Sequence, residues 1–151
     1  MFTQRLTSAA RYLWRSLAES ARNVQALRER HKAIGDIREA RGITLLREWL
    51  SLEQQAQFDA SKCFDVVGCD SGRRYRIRHG TGTNVHEIDG AGRPVMGWCF
   101  VPSGYLVAGD VMLVQKIALE TNERVALAVA NRFPVQVPDR TNSDARPRRA
   151  Y

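Results

Sequence analysis

The sequence has no long apolar run, and its number of cysteines is odd. Its most apolar stretch, "LVAGDVMLVQKIAL", contains Asp110 and Lys116, so no segment offers the roughly 20 apolar residues that a membrane-spanning helix needs. Cys63, Cys69 and Cys99 form an odd set that fits no disulfide framework, and nothing at the N-terminus resembles a secretory signal. We therefore expect a protein of the reducing cytoplasm that does not span a membrane.

Catalytic motifs are missing as well. Cys99 lies between Trp98 and Phe100, which predicts an inert buried thiol and not a nucleophile. The run "GTGT" before Asn84 lacks both the spacing and the lysine of a phosphate-binding loop. We predict a protein that is not an enzyme, with no catalytic residues and no cofactor. A hydrolase or other enzyme stays open as a third possibility.

One region raises the question of a metal ion, because several cysteines and histidines lie close together in the sequence. Structural zinc sites usually contain cysteine pairs two to four residues apart, whereas the closest cysteines here are six residues apart. The two nearest cysteines also flank opposite ends of one predicted strand. We therefore predict no metal site. The residues concerned are Cys63, Cys69, His79, His86 and Cys99.

The positive charge is concentrated at the two ends of the chain. Residues 1–42 hold nine Lys/Arg and four Asp/Glu, giving +5; residues 43–138 hold ten of each, giving zero; residues 139–151 hold four and two, giving +2. Charge of one sign on terminal extensions is typical of arms that contact phosphates or acidic partners, although solubility alone also explains many basic termini. We predict a basic helical arm over residues 1–42, an α+β domain over residues 43–133, and a disordered basic tail over residues 134–151.

The basic arm has the pattern of an amphipathic helix. Apolar residues recur there at three-, four- and seven-residue steps, which predicts one helix from residue 3 to about residue 32, and Gly35 and Gly42 predict a break after it. Such a stripe packs on the chain's own core or on a partner, lies on an anionic membrane surface, or accompanies nucleic-acid contacts. The predicted partner-binding residues are Leu6, Leu13, Trp14, Leu17 and Val24, and the predicted nucleic-acid-binding residues of the opposite face are Arg11, Arg15 and Arg22.

After the arm, "ITLLREWLSLEQQAQF" predicts a second helical segment with a bend near Ser51. Ser51 followed three residues later by Gln54 has the spacing of a capping box, which marks a new helix start. The period then changes to two: "CFDVVG" and "RRYRIRH", separated by the turn "CDSG", predict a β-hairpin.

The alternation within the hairpin predicts which side chains reach the core. We predict a register that pairs Val66 with Ile77 and Asp65 with Arg78, because a slip of one residue would mix the two faces. Tyr75 and Ile77 then point into the core. The opposite face carries a row of three arginines that could follow a phosphate backbone, namely Arg74, Arg76 and Arg78.

The rest of the domain completes the sheet and covers it. "NVHEIDGAGRPVMGWCFVP" predicts a second hairpin, which gives an antiparallel meander of three or four strands. Asp110 is placed to cap a long helix that ends near Asn131 and Pro134. The stripe predicted to cover the sheet is Val114, Ile117, Thr121, Val125, Ala128 and Val129.

Two resemblances accompany these patterns. The segments "LREWLSLEQQAQF", "FDVVGCDSGRRYRIRHGTGTNVHEID", "GWCFVP", "GDVMLVQKIALE" and "ALAVANRF", within residues 45–133, resemble an uncharacterised family of small alphaproteobacterial proteins, which implies a bacterial source but no activity. The order of strand, hairpin and helix is also similar to the SWIM zinc-binding module, whose C-x-C and C-x-H ligands align with "NVH" and "CFV". Asn84 and Val101 depart from that ligand pattern, so this resemblance implies a topology and a general association with nucleic-acid or protein binding, and no zinc site.

Together these patterns predict a small α+β protein, with an antiparallel meander covered by a C-terminal helix and preceded by a long amphipathic helix. The predicted function is a non-enzymatic basic binding module that acts on DNA or RNA or within a nucleoprotein assembly. The alternative is a structural or adaptor subunit that docks on a protein partner through its N-terminal helix.

Overall fold

The computed structural model describes residues 2–102 and 104–135, with side chains from residue 14 onward. The α+β class, the long N-terminal helix and the antiparallel meander are confirmed, and the sheet has five strands in the order β1-β2-β3-β4-β5, at least one more than predicted. None of the described helices is long and apolar enough to cross a membrane. The elements are α1 (Phe2–Trp49), α2 (Leu52–Ser61), β1 (Cys63–Val67), β2 (Arg74–Arg78), β3 (Val85–Ile88), β4 (Pro94–Cys99), α3 (Ala108–Val129) and β5 (Asn131–Pro134).

Helix α1 is continuous over 48 residues, so the predicted break at Gly35 and Gly42 is wrong. A glycine inside a helix costs only about 1 kcal/mol relative to alanine, which neighbouring contacts easily offset. Gly42 lies where α1 crosses the start of α3, and a β-carbon there would approach Val107 Cγ2 to 2.7 Å. Gly42 is therefore a packing residue of the crossing and not a helix end.

The predicted bend near Ser51 is confirmed. Ser51 is the N-cap of α2, its hydroxyl accepts a hydrogen bond from the Gln54 amide, and the Gln54 side chain accepts one from the Ser51 amide. Helix α2 then covers the free edge of β1, because Gln54 and Gln57 bond the backbone oxygen and nitrogen of Asp65 at 3.0 and 2.8 Å. An edge strand whose backbone groups are satisfied in this way offers less to a foreign strand.

The faces of the first hairpin are as predicted, but its register differs by two residues. Val66 pairs with Tyr75, and Asp65 pairs with Arg76 instead of Arg78. A shift of two keeps every side chain on its predicted face, because the period of a strand is two. The turn is tighter than predicted, and the Gly68 amide donates to the carbonyl oxygen of Arg73 at 2.9 Å.

One face of the sheet forms the core with the last turns of α1, with α2 and with α3. Tyr75 and Ile77 are fully buried there, as predicted, and Trp98 of β4 is nearly so. This arrangement gives each helix a role in covering the sheet. The core cluster comprises Leu46, Leu50, Phe58, Phe64, Val66, Tyr75, Ile77, Val85, Trp98, Met112, Leu113 and Leu119.

Helix α3 covers the sheet with a different face from the one predicted. The predicted stripe is largely exposed: Val114, Val125 and Val129 are 60%, 57% and 75% accessible. The covered face includes two polar residues, Gln115 and Glu123. A search for apolar residues does not select them, but their side chains form hydrogen bonds with other residues in the protein interior.

The start of α3 also differs from the prediction. Its N-cap is Val107, which makes no side-chain capping bond, and Asp110 lies within the first turn. The carboxylate of Glu39, on α1, accepts a hydrogen bond from the Ala108 amide at 2.9 Å. A residue distant in sequence therefore satisfies an amide that local sequence reasoning assigned to Asp110.

Strand β5 was not predicted. Residues 131–134 pair with β4, and Phe133 lies directly over Gly97, where no other residue leaves room for its ring. The predicted tail therefore starts with the last residue of this strand. Val135 follows the strand and is described, whereas residues 136–151 of the tail lie outside the described residues.

Candidate interaction surfaces

The arm of α1 is a long exposed surface among the residues that the structure describes. Every side chain from Trp14 to Arg38 is exposed, and among the described side chains of α1 the first that is partly buried is Glu39. Trp14, Leu17 and Val24 of the predicted partner-binding set are 75%, 65% and 50% accessible. Leu6 and Leu13 belong to the same helix, but their side chains lie outside the described residues.

The apolar stripe of the arm extends further than the sequence analysis placed it. Leu27 and Ile34 are 56% and 49% accessible. Ile34 was missed because the helix was expected to end near residue 32. The seven-residue step from Leu27 to Ile34 was the signal that could have shown that the stripe continues.

The cations of the arm are exposed too. Arg15 and Arg22 lie away from the apolar stripe, and the Arg22 guanidinium bonds the carbonyl oxygen of Ala18 one turn earlier at 3.2 Å. Arg11 lies on the same helix, but its side chain is outside the described residues.

The three arginines of β2 share one face of the sheet, as predicted, but two of them share an ion pair with one carboxylate. Asp65 bonds Arg74 at 2.9 Å and Arg76 at 2.7 Å, because the register places this carboxylate between them. Arg76 is further held by the carbonyl oxygen of Gly92, at 3.3 Å. The predicted pair between Asp65 and Arg78 does not form, so among the described residues Arg78 makes no ion pair.

A histidine lies next to this row. His86 pairs across the strands with Arg76, and its ring packs edge-on against Phe133 at 5.7 Å between centroids. Burial, and then the nearby charge of Arg78, lower the pKa of His86 below its usual value. Its buried Nδ1 has no hydrogen-bond partner among the described residues.

The cysteines and histidines considered for a metal site are not brought together. Among the described residues, no group of three or more His, Cys, Asp or Glu side chains could hold a metal ion. Cys63 contacts the Ser61 hydroxyl at 3.1 Å, and His79 pairs with Glu39 of α1 at 2.8 Å. These partners tie β1 and β2 to the neighbouring helices.

The most elaborate polar cluster surrounds Glu123, which sequence reasoning did not select. Its carboxylate accepts hydrogen bonds from the Tyr75 hydroxyl at 2.6 Å, from the Ser71 hydroxyl at 2.5 Å, and from the amides of Asp70 and Ser71. Burial alone would raise the pKa of Glu123, but these four donors outweigh it and lower the pKa. Burial and the bond to Glu123 raise the pKa of Tyr75.

The same turn interrupts helix α3. Asn122 has non-helical backbone angles, and the β1–β2 turn supplies the missing partners: the Cys69 amide donates to Leu119, and Asp70 accepts from the Arg124 amide at 2.9 Å. Glu123 has all its acceptor capacity engaged by the protein. This cluster therefore joins turn and helix and leaves no acceptor for a substrate.

The buried side chains of Asn84 and Gln115 also bond to each other and to the protein, as the Glu123 cluster does. The side-chain amides of Asn84 and Gln115 bond each other twice, at 2.9 Å each. Asn84 also donates to the carbonyl oxygens of Arg78 and Gly80, which ties the "GTGT" loop to α3.

A small cavity of about 330 Å³ opens beside the exposed face of α3. Its lining is aliphatic and aromatic, and its one polar side chain, Gln115, is already bonded to Asn84. The other lining residues are Phe100, Val101, Pro102, Leu106, Val111, Val114 and Ala118.

Comparison with protein families, with curated proteins and with solved structures finds no match to this chain. The resemblances to the alphaproteobacterial family and to the SWIM module therefore stay predictions. The candidate sites rest on geometry, and that geometry places the predicted interaction residues on two separate elements, the arm of α1 and the outer face of β2.

Proposed function

We propose that this protein is a non-enzymatic adaptor that docks on a helical protein partner through the apolar stripe of α1. The observation that carries the proposal is the exposure of Leu17, Val24 and Leu27, each half or more accessible, on a helix that extends away from the folded body. Most of the stability of a protein helix comes from the packing of its apolar face, and this part of α1 has no such packing against the described part of the chain. An exposed stripe of this kind marks an interaction site.

A cross-linking experiment tests the docking proposal. A photo-reactive amino acid is introduced at Leu27, on the stripe, or at Ala18, away from it, in the full-length chain. In an extract of the cells that produce the protein, we expect a defined protein adduct at position 27 and none at position 18. Equal labelling at the two positions would contradict docking through the stripe.

Nucleic-acid binding, alone or within a nucleoprotein assembly, is the second candidate. It is supported by the exposed guanidiniums of Arg15 and Arg22 on the arm and by Arg78, which has no acidic partner among the described residues. Phosphate contacts release counterions, so affinity for generic DNA or RNA should fall steeply with added salt. Fluorescence anisotropy with labelled duplex DNA and single-stranded RNA over a salt series tests this, and binding that does not respond to salt argues against it.

We also propose that the protein acts in the cytoplasm of a bacterium. Cys63, Cys69 and Cys99 are free thiols, as a reducing compartment would keep them.

A further inference from the structure

Six positions on the arm repeat at alternating steps of three and four residues. This spacing averages 3.5 residues, the repeat of a left-handed coiled coil, and it continues in the sequence through Leu6, Ala10 and Leu13. All six side chains are exposed. The six positions, called the seam below, are Leu17, Ser20, Val24, Leu27, His31 and Ile34.

We propose that the seam pairs with the seam of a second copy of this chain, forming a two-stranded α-helical coiled coil. The proposal rests on the proposed docking function of the arm and names its partner. The segment from Trp14 to Arg38 would extend the pairing over about 37 Å, at about 1.5 Å per residue.

The order of polar and apolar residues along the seam supports a second copy. Reading from Leu17 to Ile34, the order is apolar, polar, apolar, apolar, polar, apolar, which is the same in both directions. An identical helix therefore matches apolar with apolar and polar with polar whether it runs parallel or antiparallel. In the antiparallel case Ser20 faces His31 of the other copy, so both polar groups gain a hydrogen-bonding neighbour.

The charges beside the seam are compatible with self-pairing. Arg28 and Arg30 occupy the flanking positions that face a partner helix in a coiled coil. In a parallel pair Arg28 faces Asn23 and Arg30 faces Gly35; in an antiparallel pair they face Ala21 and Asn23. Neither Arg28 nor Arg30 meets another arginine across the seam in either orientation, although the arm as a whole is basic and Arg38, one step beyond the seam, would face its own copy in a parallel pair.

The narrowness of the stripe favours a helix over a membrane surface. A helix that lies on a membrane buries a wide apolar face, whereas a coiled-coil seam is a narrow stripe with polar neighbours. Beside the middle of the seam, Ser16, Asn23 and Arg30 follow one side, and Ala21 and Arg28 follow the other. The apolar Trp14 and Ile37 lie beside its two ends.

The test measures the mass of the full-length chain by sedimentation equilibrium over a wide concentration range. We expect a monomer–dimer equilibrium. Val24→Glu with Leu27→Glu places two charges in the seam and should abolish the dimer. Ala18→Glu with Ala26→Glu adds the same charges to the opposite side of the same helix, each one turn before an arginine, and should leave the dimer intact.

A second variant moves the equilibrium in the other direction. Ser20→Leu with His31→Leu replaces the two polar seam positions and should lower the dimer dissociation constant, because both side chains are buried only in the dimer. A melt of the body, followed by near-ultraviolet circular dichroism, confirms that each variant is folded.

Three results would overturn self-pairing: a monomer at every concentration, a dimer that survives the seam glutamates, or no tightening in the leucine variant. A monomer that still gives a position-specific adduct with a different protein would leave the docking function standing and reject only the second copy as partner. Loss of the position-specific adduct together with a monomer would reject both.

Discussion

Gly42 of α1 and Gly109 of α3 lie so close that a β-carbon added to Gly109 would overlap the carbonyl carbon of Gly42. This contact is where the two helices cross, next to the core residues Leu46 and Met112. Only glycine lets two helix backbones approach to this distance.

Gly109→Ala is therefore expected to force the helices apart and to destabilise the protein by about 1–3 kcal/mol, the usual cost of overpacking a core. Gly35→Ala is the matched control, because nothing lies within 4 Å of its β-carbon position. That substitution should stabilise the helix by about 0.5–1 kcal/mol. Urea denaturation followed by tryptophan fluorescence measures the free energy of unfolding of Gly109→Ala. Far-ultraviolet circular dichroism measures the helicity of the arm in Gly35→Ala. Equal effects at the two glycines would show that the crossing is looser than described.

Glu123 should make the stability of the protein dependent on acid. Its pKa is lower in the folded protein than its ordinary value of 4.5, so the unfolded chain binds its proton more readily. The stabilisation from this carboxylate is complete above the unfolded pKa and is lost as the pH falls through the folded pKa. Thermal melts at a series of pH values below 5 should show a falling melting temperature.

Glu123→Gln is the control for that acid dependence. It keeps the shape of the side chain but removes the charge and places an amide donor among four donors, so it should destabilise the protein by roughly 1.5–3 kcal/mol near neutral pH. The variant should also lose part of the pH dependence seen in the parent. An unchanged pH profile would mean that other carboxylates control acid unfolding.

The arginine row of β2 gives a test of nucleic-acid binding. Arg74→Gln, Arg76→Gln and Arg78→Gln combined should weaken binding and make its salt dependence shallower. Asp65→Asn should do the opposite, because this carboxylate pairs with Arg74 and Arg76 in the parent and offsets one of their two charges. Anisotropy titrations with generic DNA and RNA measure both. If neither variant changes affinity, the row is a solvated sheet face.

Substitutions on the buried side of β2 should lower the stability of the protein. Ile77→Ala is expected to cost about 2–5 kcal/mol, because Ile77 is fully buried. Tyr75→Ala should also destabilise, since it removes a buried ring and leaves Glu123 with one donor fewer. Chemical denaturation gives both values. A loss of less than 1 kcal/mol for Ile77→Ala would contradict its place in the core.

Deletion of residues 1–34 should leave a folded body that melts cooperatively. The side chains from Trp14 to Ile34 are exposed, whereas Glu39, Gly42 and Leu46, which connect α1 to the core, are retained. Differential scanning calorimetry measures the transition. An unfolded fragment would mean that the arm belongs to the core.

The sequence by itself determined the types of the elements from α1 to α3, the buried face of the first hairpin and the start of α2. Each of these follows from a local signal: the alternation around Tyr75 and Ile77, and the capping box of Ser51 and Gln54. Local signals also predicted correctly which face of the sheet carries the arginines, because a register shift of two residues leaves every side chain of a strand on the same face.

Only the tertiary structure decided what depends on distant partners. Gly42 continues a helix because Gly109, far along the chain, packs against it, and α3 buries Gln115 and Glu123 because Asn84, Ser71 and Tyr75 bond them. An apolar count ranks such polar residues as surface, so it selected the exposed stripe of α3 in their place. The Asp65 carboxylate likewise pairs with Arg74 and Arg76 and not with Arg78, because the geometry of the β1–β2 turn sets the register of the two strands. Contacts between residues distant in sequence leave no periodic trace in either segment, and for that reason they become visible only in the folded chain.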